Sequence, residues 1–187
     1  MGFVLLIIIV LVALWAMFTY NRLVSLRNET QNGWRQIDVQ LKRRHDLIPN
    51  LVNTVKGGMD FERNTLTAVM DARSKAMTAA SPADAAQKEG ELGAALGRLL
   101  AVTENYPQLK SNENVKMLQE ELSSTENKIG FARQFYNDIA TRFNTARETF
   151  PSSVIAGGRF APAELFQVTD NAERAVPAVD LSMKPPA

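Results

Sequence analysis

The sequence predicts an all-α protein: an N-terminal transmembrane helix, an antiparallel bundle of about four long helices behind it, and an irregular C-terminal tail. Three observations carry this. Met1 to Phe18 contains no charged residue. From Trp34 apolar residues then recur at steps of three, four or seven, helix by helix, as far as Phe150. Ala, Leu, Glu, Gln, Lys and Arg, which lose little freedom in a helix, dominate the middle of the chain. These features divide the 187 residues into an anchor (1–20), a helical bundle domain (21–150) and a partly docked or disordered tail (151–187).

The anchor comes first. Phe3 to Val12 is unbroken hydrocarbon, and Ala13-Leu14-Trp15-Ala16-Met17-Phe18 extends it. About 18 residues at 1.5 Å each give roughly 27 Å, close to the bilayer core. Trp15, Phe18 and Tyr20 cluster where an aromatic belt would sit. A cleavable signal peptide needs a basic leading region and small residues at the cut. No Lys or Arg precedes this run, and Leu14-Trp15-Ala16 is bulky, so an uncleaved anchor is expected. Arg22, Arg27 and Arg35 follow the span. The positive-inside rule then places the N-terminus outside and the main domain in the cytoplasm, with a periplasmic domain as runner-up.

The next segment has one stripe: Val24, Trp34, Ile37, Leu41, Ile48, Leu51/Val52 and Val55. No breaker separates it from the span, so the two can form one rod. Pro49 lies inside the pattern, and a kink near Asp46–Pro49 is expected because proline lacks the donor and crowds the preceding turn. Gly57-Gly58 ends the helix. A second helix is expected over about Asp60 to Ala80, with Leu66, Val69/Met70, Ala76/Met77 and Ala80 inward. Ser81-Pro82-Ala83-Asp84 restarts the chain as N-cap, first-turn proline and acid. The third helix runs to about Glu104 with Leu92, Leu96, Leu99 and Leu100, and Asn105-Tyr106-Pro107 stops it. Val115, Leu118, Leu122, Thr125, Ile129, Ala132, Tyr136, Ile139, Phe143, Ala146 and Phe150 form a heptad seam in the last helix, roughly 54 Å long. After Pro151, the breakers Gly157-Gly158, Pro162, Pro177, Pro185 and Pro186 leave a tail docked through Val154, Ile155, Phe160 and Phe166 and then disordered.

Charge excludes several function classes. The 21 Lys+Arg nearly match the 20 Asp+Glu, so no nucleic-acid partner is expected. Without cysteine there is no disulfide, thiolate or Cys-ligated zinc. The single histidine leaves almost no material for a His-based metal site or catalytic pair, and no catalytic, cofactor-binding or metal-binding residue is nominated. His45-Asp46 cannot chelate one ion alone, because neighbours on a helix point about 100° apart. Lys42-Arg43-Arg44-His45 is the densest basic cluster, some 36 Å beyond Phe18 on a straight helix; it reads as a solvated face paired with acidic helices, with anionic lipid headgroups, a partner's acidic face or nucleic acid as the alternatives. Arg22 to Lys56 carries seven basic and three acidic residues, and Asp84 to Glu126 four basic and eight acidic. That opposition helps set register. Glu120-Glu121 and Glu89/Glu91 read as solvated surface.

The stretch Ile37-Asp38-Val39-Gln40-Leu41-Lys42-Arg43-Arg44-His45-Asp46-Leu47-Ile48-Pro49-Asn50-Leu51-Val52-Asn53-Thr54-Val55-Lys56-Gly57 closely resembles the bacterial LemA family. So do Tyr20 to Val24, Arg27-Asn28, Tyr106-Pro107-Gln108-Leu109-Lys110-Ser111-Asn112, Glu126-Asn127-Lys128-Ile129, Ala132-Arg133, Tyr136-Asn137 and Phe150-Pro151. The resemblance covers about Met1 to Phe166 and weakens in the tail, at Ala156 to Phe160 and Leu165-Phe166. It implies a single-pass membrane protein with a long-helix bundle and no established catalytic residues. It also implies an accessory or assembly role, since some members are encoded near membrane metalloproteases or membrane-stress proteins. The polar residues beside the stripes (Gln40, Asn50, Asn53, Asn127 and Asn137) are expected to fix bundle register by cross-helix hydrogen bonds, with a self-assembly surface as the alternative.

The functional expectation is a non-enzymatic scaffold or assembly protein of the bacterial inner membrane that self-associates through helical surfaces. The alternative is an adaptor that binds or regulates a membrane enzyme such as a metalloprotease. An enzyme using carboxylates is a distant third.

Overall fold

A computed structural model describes residues 1–59 and 62–167. Six α-helices follow one another: α1 (Gly2–Lys56), α2 (Arg63–Ala76), α3 (Pro82–Thr103), α4 (Pro107–Lys110), α5 (Glu113–Glu148) and α6 (Ser152–Ala156). A 3-10 turn, Gly157–Arg159, closes the series. There is no strand among the described residues.

Helix α1 joins anchor and domain in 55 residues, about 82 Å of rod. Its first part, Met1 to Trp15, is exposed throughout, and burial begins in earnest at Leu23. Pro49 does not interrupt the helix, which continues to Lys56. The proline cannot donate to the carbonyl of His45, four residues back. Arg73 of α2 takes that place, its Nε donating to His45 O at 2.6 Å. A tertiary donor thus satisfies the carbonyl that proline orphans.

Helices α1 and α5 run antiparallel: Arg43 pairs with Glu121, Gly33 faces Tyr136, and Leu23 packs with Phe143. The expected long seam holds over most of α5. Val115, Leu122, Thr125, Ile129, Tyr136, Ile139 and Phe143 are buried, whereas Phe150, beyond the helix end, is 79% exposed. Helices α2 and α3 form a hairpin against the distal half of this pair. Helix α2 is shorter than expected, so Met77 and Ala80 face solvent rather than the core; Asp60 lies outside the described residues. Ser81 caps α3 as foreseen, accepting from Asp84 N at 3.4 Å, while the Asp84 carboxylate accepts from Ala80 N at 2.9 Å. Lys88, then that Ala80 amide, holds the Asp84 carboxyl below its ordinary 3.8. The sequence reading has no counterpart for α4 or for Asn112, whose side chain caps α5 through the amides of Asn114 and Val115.

Three apolar layers stack along the rod. The distal layer joins Ile48, Leu51 and Val55 to Val69, Leu92, Leu99 and Val115. The middle layer joins Ile37 and Leu41 to Ala85, Ala86, Ile129 and Tyr136. The layer nearest the span joins Leu23 and Phe143 to Ala156 and Phe160. Two of these layers incorporate the tail: Phe160 and Phe166 are buried and Ile155 partly so, but Val154 is 73% exposed, contrary to expectation. The expected disordered end, 168–187, lies outside the described residues.

Candidate functional site

Two polar assemblies and one apolar surface stand out on this frame. The first is a buried ion cluster between the distal and middle layers. Arg44 and His45 of α1 and Glu89 of α3 are all under a tenth exposed. Arg44 Nη1 donates to Glu89 Oε2 at 3.2 Å and lies 3.0 Å from Glu126 Oε2 of α5. His45 Nε2 lies 2.6 Å from Glu89 Oε1, a contact that needs a proton on one of the two atoms. Gly93, four residues on from Glu89, lies beside Arg44, whose Nη2 would be in ordinary contact, 3.5 Å, with a Cβ there.

This corrects two expectations. Glu89 is not solvated surface, and half of the Lys42 to His45 cluster is interior; only Arg43, paired with Glu121 at 2.6 Å, and Lys42 remain at the surface. The sequence held the signal. Ala85, Glu89, Leu92, Leu96 and Leu99 fall at steps of three and four, as do Leu41, Arg44 and Ile48, so an acid and a cation each sit on a buried stripe. Isolated buried charge is costly, and pairing is what makes such positions tolerable. Chemically the cluster is a lock joining α1, α3 and α5: its carboxylates are spent on Arg44 and His45. No group of three metal-ligating side chains occurs among the described residues.

The second assembly holds the tail. Asn137 Nδ2 donates to Phe166 O at 3.0 Å, and Phe166 N donates back to Asn137 Oδ1 at 2.9 Å. One heptad on, Asn144 and Ala163 exchange the same pair of bonds at 2.8 Å each. Between them the Tyr136 hydroxyl donates to Glu164 O at 2.6 Å. Burial, then the nearby Glu164 carboxylate, raises the Tyr136 phenol above its ordinary 10.0. The primary amide can give and take one hydrogen bond at once, so each asparagine reads a single backbone residue as a neighbouring strand would. Phe166 packs against Trp34, ring centroids 6.0 Å apart.

Asn137 therefore binds the tail rather than bracing two helices, and Asn144, which the sequence reading passed over, is its twin. The repeat Tyr136-Asn137, Phe143-Asn144 at a spacing of seven was the available clue. Asn50, Asn53 and Asn127 are exposed and make no side-chain hydrogen bond among the described residues. Gln40 is half-buried, and its buried Oε1 has no partner among the described residues.

The third feature is an apolar surface on the outer side of the α1–α5 pair. Val39, Phe131 and Phe135 are 62%, 74% and 48% exposed. They surround a hollow of about 560 Å³ that Gln40, Arg35 and Lys128 also line.

Comparison with known proteins fits these observations. Residues 33–181 match the profile of the LemA family. Magnetosome protein MamQ 2 of Paramagnetospirillum magneticum is 27% identical over 175 residues, covering 79% of this chain and 64% of the relative. Protein LemA of Metamycoplasma hominis is 28% identical over 137 residues, covering 73% and 63%. Magnetosome protein MamQ of Magnetospirillum gryphiswaldense is 25% identical over 163 residues, covering 73% and 60%. The chain thus spans under two thirds of the length of these relatives. With a long apolar N-terminal helix, a wholly helical described body and a match running from Gly33 into the tail, the chain is a membrane-associated helical protein that belongs to the LemA family.

Proposed function

We propose that this protein is a non-enzymatic, membrane-anchored scaffold of the bacterial inner membrane that self-associates through the outer face of its α1–α5 pair. The observation that supports this reading is the exposure of Val39, Phe131 and Phe135 around one hollow. Two antiparallel helices leave two faces. Here α2 and α3 cover one, and the other keeps its large side chains in water at mid-rod. A clustered apolar patch of this kind marks an interaction surface. Val39 lies 21 residues past Phe18, roughly 32 Å up the rod, too far for the patch to lie in the bilayer that holds the span.

The rod argues for parallel copies. Spans that share one bilayer bring equal heights together, so like patches meet about an axis along the membrane normal. Arg22, Arg27 and Arg35 behind the span favour a cytoplasmic body.

The test is the size of the full chain in detergent, by light scattering after gel filtration, with mass spectrometry of what co-purifies. The expected result is a homo-oligomer that Phe131→Glu with Phe135→Glu converts to monomer at unchanged helical circular dichroism. A monomer carrying one stoichiometric membrane enzyme would replace this reading with the adaptor. Turnover by the pure chain would overturn both.

A further inference from the structure

The end of α5 meets α1 where the apolar span stops. Thr19 and Leu23 line one cleft with Thr145, Thr149 and Ser152, and the ring of Tyr20 lies 5.8 Å from that of Phe160. Helix α1 is unbroken here, so it acts as a depth gauge. With Gly2 to Phe18 in hydrocarbon, Thr19 to Leu23 fall in the headgroup layer, and whatever packs on them shares that depth.

What packs there is the corner formed by Thr149, Phe150, Pro151 and α6. This corner turns two large apolar side chains outward, Phe150 at 79% and Val154 at 73% exposure, while its Ala156 and the following Phe160 are buried. A corner facing water gains nothing from that arrangement; one facing the acyl boundary does. A second observation lies in the cleft beside it, about 340 Å³ in volume, to which Arg22 and Arg142 contribute. Neither arginine meets a carboxylate among the described residues. Arg27 stands over the Phe160 ring, 5.8 Å from its centroid. Of the carboxylates at this end, Glu148 accepts from Arg147 and Glu29 from Ser25.

We propose that this corner is a second membrane contact: Arg22 and Arg142 bind the phosphates of lipid headgroups while Phe150 and Val154 insert beside them. The occupant is the bilayer that already holds α1, because depth and charge both match it. Guanidinium groups suit phosphate oxygens, and interfacial insertion is favoured by apolar area together with basic flanks. The consequence is mechanical. Two contacts fix the tilt of a rod that one span would leave free to swing, and they hold every outer face at a common height. The proposal rests on the anchoring reading.

The chain has no cysteine, so single labels are clean. Leu11→Cys, Val154→Cys and Met117→Cys, the last 58% exposed on distal α5 and outside the hollow at Phe131, would each carry an environment-sensitive fluorophore in the full chain. Each labelled chain is reconstituted into vesicles of phosphatidylcholine with or without phosphatidylglycerol. Quenching of the Val154→Cys label by a lipid-borne spin label is expected within about twofold of that at Leu11→Cys, with Met117→Cys left in water. Phosphatidylglycerol should deepen Val154→Cys quenching, and Arg22→Gln with Arg142→Gln should abolish that increment at unchanged helicity. If the Val154→Cys label is as accessible to aqueous iodide as that of Met117→Cys, while Leu11→Cys stays in lipid, the inference fails and anchoring stands. If Leu11→Cys is also in water, anchoring itself fails. An increment that survives the double arginine variant overturns the assignment of the cleft to phosphate.

Discussion

The bond from Arg73 to the His45 carbonyl invites a sharp test, because Pro49 is the reason that carbonyl is available. Arg73→Met keeps the aliphatic bulk and removes the donor. The carbonyl of a residue only 7% exposed is then left without a partner, which costs about 1–3 kcal/mol. Pro49→Ala restores a backbone N–H at the position that normally bonds His45 O. In that background the same Arg73→Met change should cost less than about 1 kcal/mol, because the helix now satisfies its own carbonyl. The coupling between the two sites is therefore expected at about 1–2 kcal/mol. In a domain of this size each kcal/mol moves the melting temperature roughly 2–4 °C. Thermal unfolding of the full chain in detergent, followed by far-ultraviolet circular dichroism, measures all four corners of the cycle. Equal losses from Arg73→Met in the two backgrounds would show that Arg73 serves something other than the carbonyl freed by proline.

Other substitutions test the remaining packing. Glu89→Ala should cost about 3–5 kcal/mol because Arg44 and His45 lose their buried partner, whereas Arg43→Ala, which breaks a pair with both partners well exposed, should cost under about 1 kcal/mol; chemical denaturation separates the two. Asn144→Leu should strand two backbone groups of Ala163 and speed proteolysis of the tail several-fold, at about 1–3 kcal/mol locally, with α1 and α5 uncut. Leu122→Asp or Ile139→Asp, at 8% and 7% exposure, should collapse the domain by burying an unpaired charge; a melt like that of the unmodified chain would refute the bundle. Because Tyr136 titrates above its ordinary 10.0, it supports the tail fully below that pH, and the support is lost as pH rises through the higher value of the folded state. Burial and Glu62 raise the Tyr106 phenol as well, so an ultraviolet titration should show two late phenols, one of which Tyr136→Phe removes.

The sequence by itself determined what local chemistry and periodicity can encode. The uncharged run to Phe18, the cap at Ser81 with Pro82 behind it, the stop at Phe150-Pro151 and the seam of α5 each depend on residues a few positions apart, and each matches the structure. Most of the apolar core of α1 and α5 followed from one stripe per helix, though Arg44 and His45 are buried along with it and Phe150 is exposed. What the tertiary structure alone decided was how polar groups on those stripes found partners far away in sequence. Pro49 reads only as a kink, with the His45 carbonyl left over, until Arg73 reaches that carbonyl. Glu89 reads as surface until Arg44 and His45 close over it. Asn137 reads as a helix brace, and Asn144 as nothing in particular, until the backbone of the tail lies against them. A hydrophobic stripe reports burial through a non-directional force that any apolar neighbour satisfies, whereas a buried polar atom needs a partner at one distance and angle. Only the packed chain states which partner that is.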